Sequence, residues 1–146
     1  MKKAFYILFL LALVACNHKE ENKKSKEESI SKEEPFQLYQ MSEMASFMEK
    51  MYADHKRIKS QIVAGKKVDT LNFEPTKLFY ARLTDSTDND IFYQEKAKLF
   101  VEYEEQLIKD SLSQKEIYNK AVNLCISCHQ IKCTGPIPRI KKLLIR

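Results

Sequence analysis

Met44-Ala45-Ser46-Phe47-Met48-Glu49-Lys50-Met51-Tyr52-Ala53-Asp54-His55-Lys56-Arg57-Ile58-Lys59-Ser60-Gln61-Ile62 is the most regularly patterned stretch of the chain. Its stripe of Met44, Met48, Met51, His55, Ile58 and Ile62 advances by alternating steps of four and three residues. That spacing lays one face of an α-helix lengthwise along a neighbour. Pro35 suits a first helical turn, with Ser31 to Glu34 before it as a cap, and Gly65 suits the closing cap. The pattern therefore predicts a helix from about Pro35 to Gly65.

Downstream, residues 66–74 read as a connection and Pro75 to Leu83 as a shorter helix offering Leu78, Phe79 and Leu83. Thr84 to Asp90 is dense in side chains that bond their own backbone, so it predicts a loop that also caps the next helix. Ile91 to Lys109 follows as a helix, with Phe92 or Tyr93, Ala97, Phe100, Leu107 and Ile108 inward and Glu102, Glu105 and Lys109 outward. Ser113-Gln114-Lys115-Glu116 has the form of a capping box. It opens a last helix with Ile117, Ala121, Leu124, Cys125, Cys128 and His129, which stops near Gly135-Pro136. Four helices joined by short links predict an all-α, antiparallel four-helix bundle over residues 35–146. Composition agrees. With 146 residues the chain is one domain, and 2 glycines, 4 prolines and 31% charged residues leave too few turn formers for a sandwich or barrel.

Upstream, Met1-Lys2-Lys3 precedes the apolar run Ala4 to Ala15, a secretory signal too short for a membrane span of roughly 20 residues. Leu13-Val14-Ala15-Cys16 resembles the bacterial lipobox, which implies cleavage after residue 15 and acylation of Cys16. Acyl chains contribute about 0.8 kcal/mol per buried methylene, enough when several are present to hold a protein on a bilayer without spanning it. From residue 16 to 34 only Ile30 of the tether is a large aliphatic side chain, so the segment reads as a disordered leash. Its Lys19-Glu20-Glu21 resembles surface-export tags of some lipoproteins of Gram-negative bacteria, and His18 carries no role. The expected location is the periplasm or the cell surface, tethered to membrane. Loss of Lys2 and Lys3 lowers the formal charge from +5 to +3, too little clustered excess for nucleic acid.

The chemistry lies in Cys125-Ile126-Ser127-Cys128-His129. Cysteines three apart share a helix face, so both sulfurs can form thioethers with the vinyl groups of one haem while His129 reaches the iron. Such attachment takes place outside the cytoplasm, in keeping with the leader. A structural disulfide or redox pair suits the compartment, but redox pairs of this kind usually sit in a βαβ context that is missing here. A zinc site from Cys125, Cys128, His129 and Cys133 draws all its ligands from one segment, unlike ordinary structural zinc. Opposite His129, a methionine gives a six-coordinate centre of raised potential, whereas an apolar residue leaves the iron open to small gases. Met44, Met48 and Met51 are the methionines on hand, although methionine at core spacing is more often packing.

The leader, the methionine-bearing first helix and the motif on the last helix together resemble the cytochrome c′ family of four-helix cytochromes, in particular its low-spin branch. Ser42 to Met51 and Cys125 to Leu143 are similar to small cytochrome lipoproteins of the Bacteroidetes type. The likeness spans about residues 36 to 143, strongest at the two ends. It implies one covalent haem c per chain, held through Cys125 and Cys128, with His129 on one side of the iron. Counting back from Gly65, it implies Met48 on the other side, with Met51 and Met44 as alternatives. It further implies a one-electron carrier, not an enzyme, serving redox proteins of the envelope; a homodimer stays open. The chain departs from the family after the motif, where Gln130-Ile131-Lys132-Cys133 replaces the usual aromatic and basic residues. Cys133 reads as a packed thiol. His55 is open between a second axial ligand, a propionate contact and a plain hydrogen-bonded side chain. No acidic residue follows Glu116, so Lys120, Lys132, Arg139, Lys141, Lys142 and Arg146 form either a solvated face or a basic collar that steers acidic partners. The rival readings are a five-coordinate gas-binding or gas-sensing haem protein and a metal-binding lipoprotein without haem.

Overall fold

In the computed structural model, which describes residues 40–146, the helix that carries the methionine stripe starts at a side chain. The Ser42 hydroxyl accepts the Ala45 N–H at 3.0 Å and meets the Thr84 hydroxyl at 2.8 Å. Helix α1 then runs Glu43–Val63. Its start is eight residues later than Pro35 implies, and Pro35 itself and the tether lie outside the described residues. The reason is tertiary: the Met44 N–H, an orphan donor of the first turn, is taken by the Arg82 carbonyl at 3.0 Å. At the other end Gly65 adopts φ +67°, and the Gly65 and Lys66 N–H groups close back onto the carbonyls of Ile62 and Gln61. This left-handed turn is the expected glycine cap.

The described residues form an all-helical fold of four α-helices, three long and one of a single turn: α1, α2 (Ile91–Lys109), α3 (Gln114–Lys132) and α4 (Ile137–Ile140). No helix among the described residues is long and apolar enough to cross a membrane. Helix α2 keeps both ends expected of it, and Asp90 caps it by accepting the Tyr93 N–H at 2.9 Å. Its buried stripe is Tyr93, Ala97, Phe100, Glu104 and Leu107, with Ile108 only half-buried.

Three local expectations change. Pro75 to Leu83 is not a helix; only Pro75–Phe79 turns, as a 3₁₀ segment. Beyond it the backbone serves its neighbours: the Arg82 carbonyl caps α1, the Arg82 N–H donates to Glu43, and the Leu78 carbonyl accepts the Tyr93 hydroxyl. The capping box before α3 does not form, because Ser113 makes no side-chain cap. Instead Gln114 is buried, accepts the Val68 N–H at 3.0 Å and donates to the carbonyls of Val68 and Leu107. Finally, α3 ends at Lys132, short of Gly135, with the Cys133 N–H bonded to the His129 carbonyl.

Two apolar clusters fill the interior. One gathers Met44, Phe47, Met51, Phe73, Tyr93, Phe100 and Leu124; the other gathers Ile58, Val68, Leu107, Tyr118, Val122, Ile140 and Leu143. The C-terminal residues belong to the second, and Lys59 fastens them by donating to the carbonyls of Lys142 and Leu144. Asp54, also buried, fastens the connection after α1: it accepts from Arg57 Nε at 2.6 Å and from both the backbone and side-chain nitrogens of Asn72.

Burial alone pushes the Asp54 carboxyl up, but Arg57 and the Asn72 N–H outweigh it and leave the group below its ordinary value. A carboxyl lowered in the folded state stabilises the fold above its unfolded value of about 3.9 and loses that contribution as pH falls through the folded value. Asp54→Ala is therefore expected to cost about 2–3 kcal/mol at pH 7, since hydrogen bonds to a charged group are lost and Arg57 keeps only the neutral acceptors Gln61 and the Thr70 carbonyl. In urea melts the gap between wild type and variant should narrow progressively below about pH 4. A gap that stays constant down to pH 2 contradicts this assignment.

Candidate functional site

The motif occupies the last turns of α3, where a three-residue spacing sets Cys125 and Cys128 on one side of the helix. Both cysteines and His129 line a cavity of about 290 Å³. Met44, Met48, Met51 and His55 of α1 line it too, together with Tyr93, Ala97 and Phe100 of α2. Residues up to 99 positions apart, Met44 and Leu143, thus converge on one predominantly apolar space. Charged side chains reach the same space, among them Glu49, Lys96, Lys132 and Arg139. Of the residues expected to act, Cys125, Cys128, His129 and all three methionines are brought together. Cys16 lies outside the described residues.

His129 is oriented by its own helix end. Its Nδ1–H donates to the Cys133 carbonyl at 3.0 Å, which leaves the lone pair of Nε2 uncommitted. A histidine that donates through one ring nitrogen presents the other as a stronger metal ligand. Cys133, expected as a packed thiol, is instead exposed, because α3 ends at Lys132 and leaves it past the helix; its sulfur lies 3.5 Å from the same Nδ1. Cys125, Cys128 and Cys133 are all free thiols. Burial pushes the Cys125 thiol far above its ordinary range, with the Glu104 carboxylate adding to the effect, and burial also raises Cys128 and Cys133. No disulfide joins Cys125 and Cys128 in this structure. Among the described residues no three His, Cys, Asp or Glu side chains are gathered to hold an ion, so the four-ligand zinc arrangement is not assembled either.

The methionines differ in how far they are enclosed. Met44 and Met51 are buried, at 5% and 8% exposure, and the Met44 sulfur lies 3.9 Å from the Tyr93 hydroxyl. Met48 is half-buried and lines the cavity from the same helix face. Each thioether carries a soft lone pair, so each is a chemically competent donor.

His55 is not free to act as a second axial ligand. It is buried at 2% exposure, donates through Nδ1 to the Met51 carbonyl at 2.9 Å and through Nε2 to Glu104 at 3.0 Å. Burial disfavours its charged form, but the facing carboxylate of Glu104 prevails and holds the imidazole above its ordinary value. The basic collar is also altered. Lys120 pairs with Glu116, Lys132 with Asp90 and Asp88, and Arg139 with Glu49, while Lys141, Lys142 and Arg146 remain exposed. Half of the collar is thereby neutralised by acidic side chains brought from earlier in the chain.

Sequence reasoning passed over Glu104, Tyr93 as a neighbour of Met44, and the tie from Arg139 to Glu49. Glu104 did leave a signal, since it stands four after Phe100 and three before Leu107 in an otherwise apolar stripe. Exposure and burial order the thiols. In protein made without any attached cofactor, iodoacetamide at pH 8 is expected to alkylate Cys133 first and Cys125 last. Peptide mapping should show at least a tenfold separation, because the thiolate is the nucleophile. Equal rates at the three positions contradict the described burial. No protein-family model matches the chain, and no curated protein or solved structure shows a significant likeness to it.

Proposed function

We propose that this chain is a monohaem c-type cytochrome, a lipid-anchored one-electron carrier of the cell envelope. The observation that carries the reading is the convergence of Cys125, Cys128 and His129 on an apolar cavity that Met44, Met48 and Met51 of α1 also line. The donor chemistry fits a haem: two thiols three residues apart for its vinyl groups, one imidazole with an uncommitted nitrogen, and thioethers from another helix on the same cavity. The lining fits as well, since apolar walls would suit the porphyrin plane and the cation of Lys96, which no ion pair among the described residues engages, lines the same cavity and would suit a propionate. When bound, the haem supplies reversible one-electron exchange.

The protein's own part is ligation and exclusion of water. Cys125 and Cys128 would tether the group, and His129 would hold iron through Nε2, its ring oriented by the Cys133 carbonyl. Met48 is the proposed second axial ligand. It is the least enclosed of the three methionines, whereas Met44 rests against Tyr93 and Met51 is packed into the core. A methionine ligand would raise the potential of the group, which suits a carrier. In this reading α1, the Pro75–Phe79 turn, α2 and α3 stand as the elements of an antiparallel four-helix bundle of the cytochrome c′ type, with the 3₁₀ turn in place of the second helix. A signal peptide over residues 1–15, acylation of Cys16 and a leash to the membrane complete the proposal, with redox proteins of the envelope as partners.

Protein matured in a host that attaches haem c is the material for the test. The ferric wild type is expected to be low-spin, with the weak methionine–iron charge-transfer band. Met48→Ala should lose that band and turn high-spin while keeping its haem, and iodoacetamide should reach only Cys133 of the three cysteines. A wild type that is already high-spin supports a gas-binding protein instead. A band that survives in Met48→Ala moves the ligand to Met51 or Met44. Free, alkylatable Cys125 and Cys128 in the mature protein overturn the haem reading.

A further inference from the structure

Glu104 is wholly buried on α2, and its Oε2 is the one buried side-chain polar atom among the described residues with no hydrogen-bond partner. Its Oε1 accepts the His55 Nε2–H at 3.0 Å. Leaving a buried carboxylate oxygen unpaired is costly, and a buried ion pair is often less stabilising than apolar side chains of similar shape. An apolar residue at position 104 would simply continue the stripe of Phe100 and Leu107. Net stability is therefore a poor explanation for the pair, and its geometry offers a better one.

The Met51 carbonyl can only accept, so Nδ1 of His55 carries a hydrogen; Nε2 faces a carboxylate and carries the other. With both nitrogens donating, the ring has one orientation. Phe73, Phe100 and Tyr118 surround it, with ring centroids 5.6–5.9 Å away. The Tyr118 hydroxyl of α3 donates to the His55 carbonyl at 3.0 Å. One residue of α1 is thus tied to α2 through Glu104 and to the motif helix through Tyr118. It stands one turn beyond Met51 and two turns beyond Met48 on the wall of the same cavity.

We infer that Glu104 and His55 form a positioning brace that holds the methionine-bearing face of α1 at ligating distance from the cofactor carried by α3. The inference rests on the haem reading above. Neither residue touches the iron; they act through the placement of α1.

The test uses the full-length haem-loaded protein as wild type, Glu104→Gln and Tyr118→Phe. Three quantities are measured on each: the ferric methionine–iron band, the midpoint potential and the thermal midpoint. Glu104→Gln is expected to lose at least half of the band and to shift the reduction equilibrium tenfold towards the oxidised form, a fall of about 59 mV for one electron. Tyr118→Phe should move both readouts the same way by less. Electrostatics alone predicts no such fall: loss of the buried negative charge raises the potential if His55 stays protonated, and leaves it near its starting value if the ring gives up its proton once Glu104 no longer faces it. A lower thermal midpoint with an unchanged band, or a potential that rises with the band intact, overturns the brace and leaves the haem reading standing. A haem-bearing wild type without the band overturns the brace as well. A wild type without haem overturns the parent reading. Should Glu104→Gln fail to fold, Tyr118→Phe decides by the same criteria.

Discussion

The described fold turns on one buried imidazole. His55 lies where the two apolar clusters meet: Phe73 and Phe100 of the first and Tyr118 of the second pack around its ring. Its ring hydrogens go to the Met51 carbonyl and to Glu104, and its own carbonyl receives the Tyr118 hydroxyl. All three long helices are joined at that residue. On one side is the cavity bounded by the methionines and the motif; on the other is the cluster of Ile58, Leu107 and Tyr118, each with no exposed surface. A polar junction of this kind is specific in a way that leucine against leucine is not, because a slip of one helix along another would strand a charge away from water.

Around that junction the tertiary ties are mostly long in sequence and short in space. Asp54 holds Asn72, Gln114 holds Val68, Lys59 holds the carbonyls of Lys142 and Leu144, and Arg139 grips Glu49 with two hydrogen bonds while lying over the Tyr52 ring at 4.3 Å. The connection after α1 and the C-terminal residues are short of regular structure. They are fixed by individual polar groups on the helices: Asp54, Gln114 and Lys59 meet backbone donors or acceptors, and Arg139 meets a side-chain carboxylate. The consequence for the proposed haem is a cavity with defined walls, since Glu49 and Arg139, which bound it, belong to segments pinned at several points.

Much of this was legible in the sequence because it is local. The Gly65 cap, the Asp90 cap, the extent of α2 and the convergence of cysteines three apart on one helix face all follow from residues within a turn or two of one another. The misreadings have the opposite character. Helix α1 starts at Glu43 because Arg82 supplies a carbonyl, Pro75 to Leu83 stops after a 3₁₀ turn because its backbone is spent on α1 and Tyr93, and the capping box fails because Gln114 turns inward to Val68 and Leu107. The site shows the same division. Cys125, Cys128, His129 and the methionine stripe were visible as spacing, whereas the partner of His55 lay 49 residues away and looked like one more surface glutamate.

The proposed function stands or falls on two carbon–sulfur bonds between the motif helix and a tetrapyrrole, and a bond is decided most directly by mass. The intact mass of the mature protein, taken after denaturation and acid–acetone extraction, separates covalent from dissociable cofactors. The account predicts one haem retained per chain, mapped to the peptide that contains Cys125 and Cys128. A chain that emerges at its polypeptide mass, with both of those thiols unmodified, contradicts it.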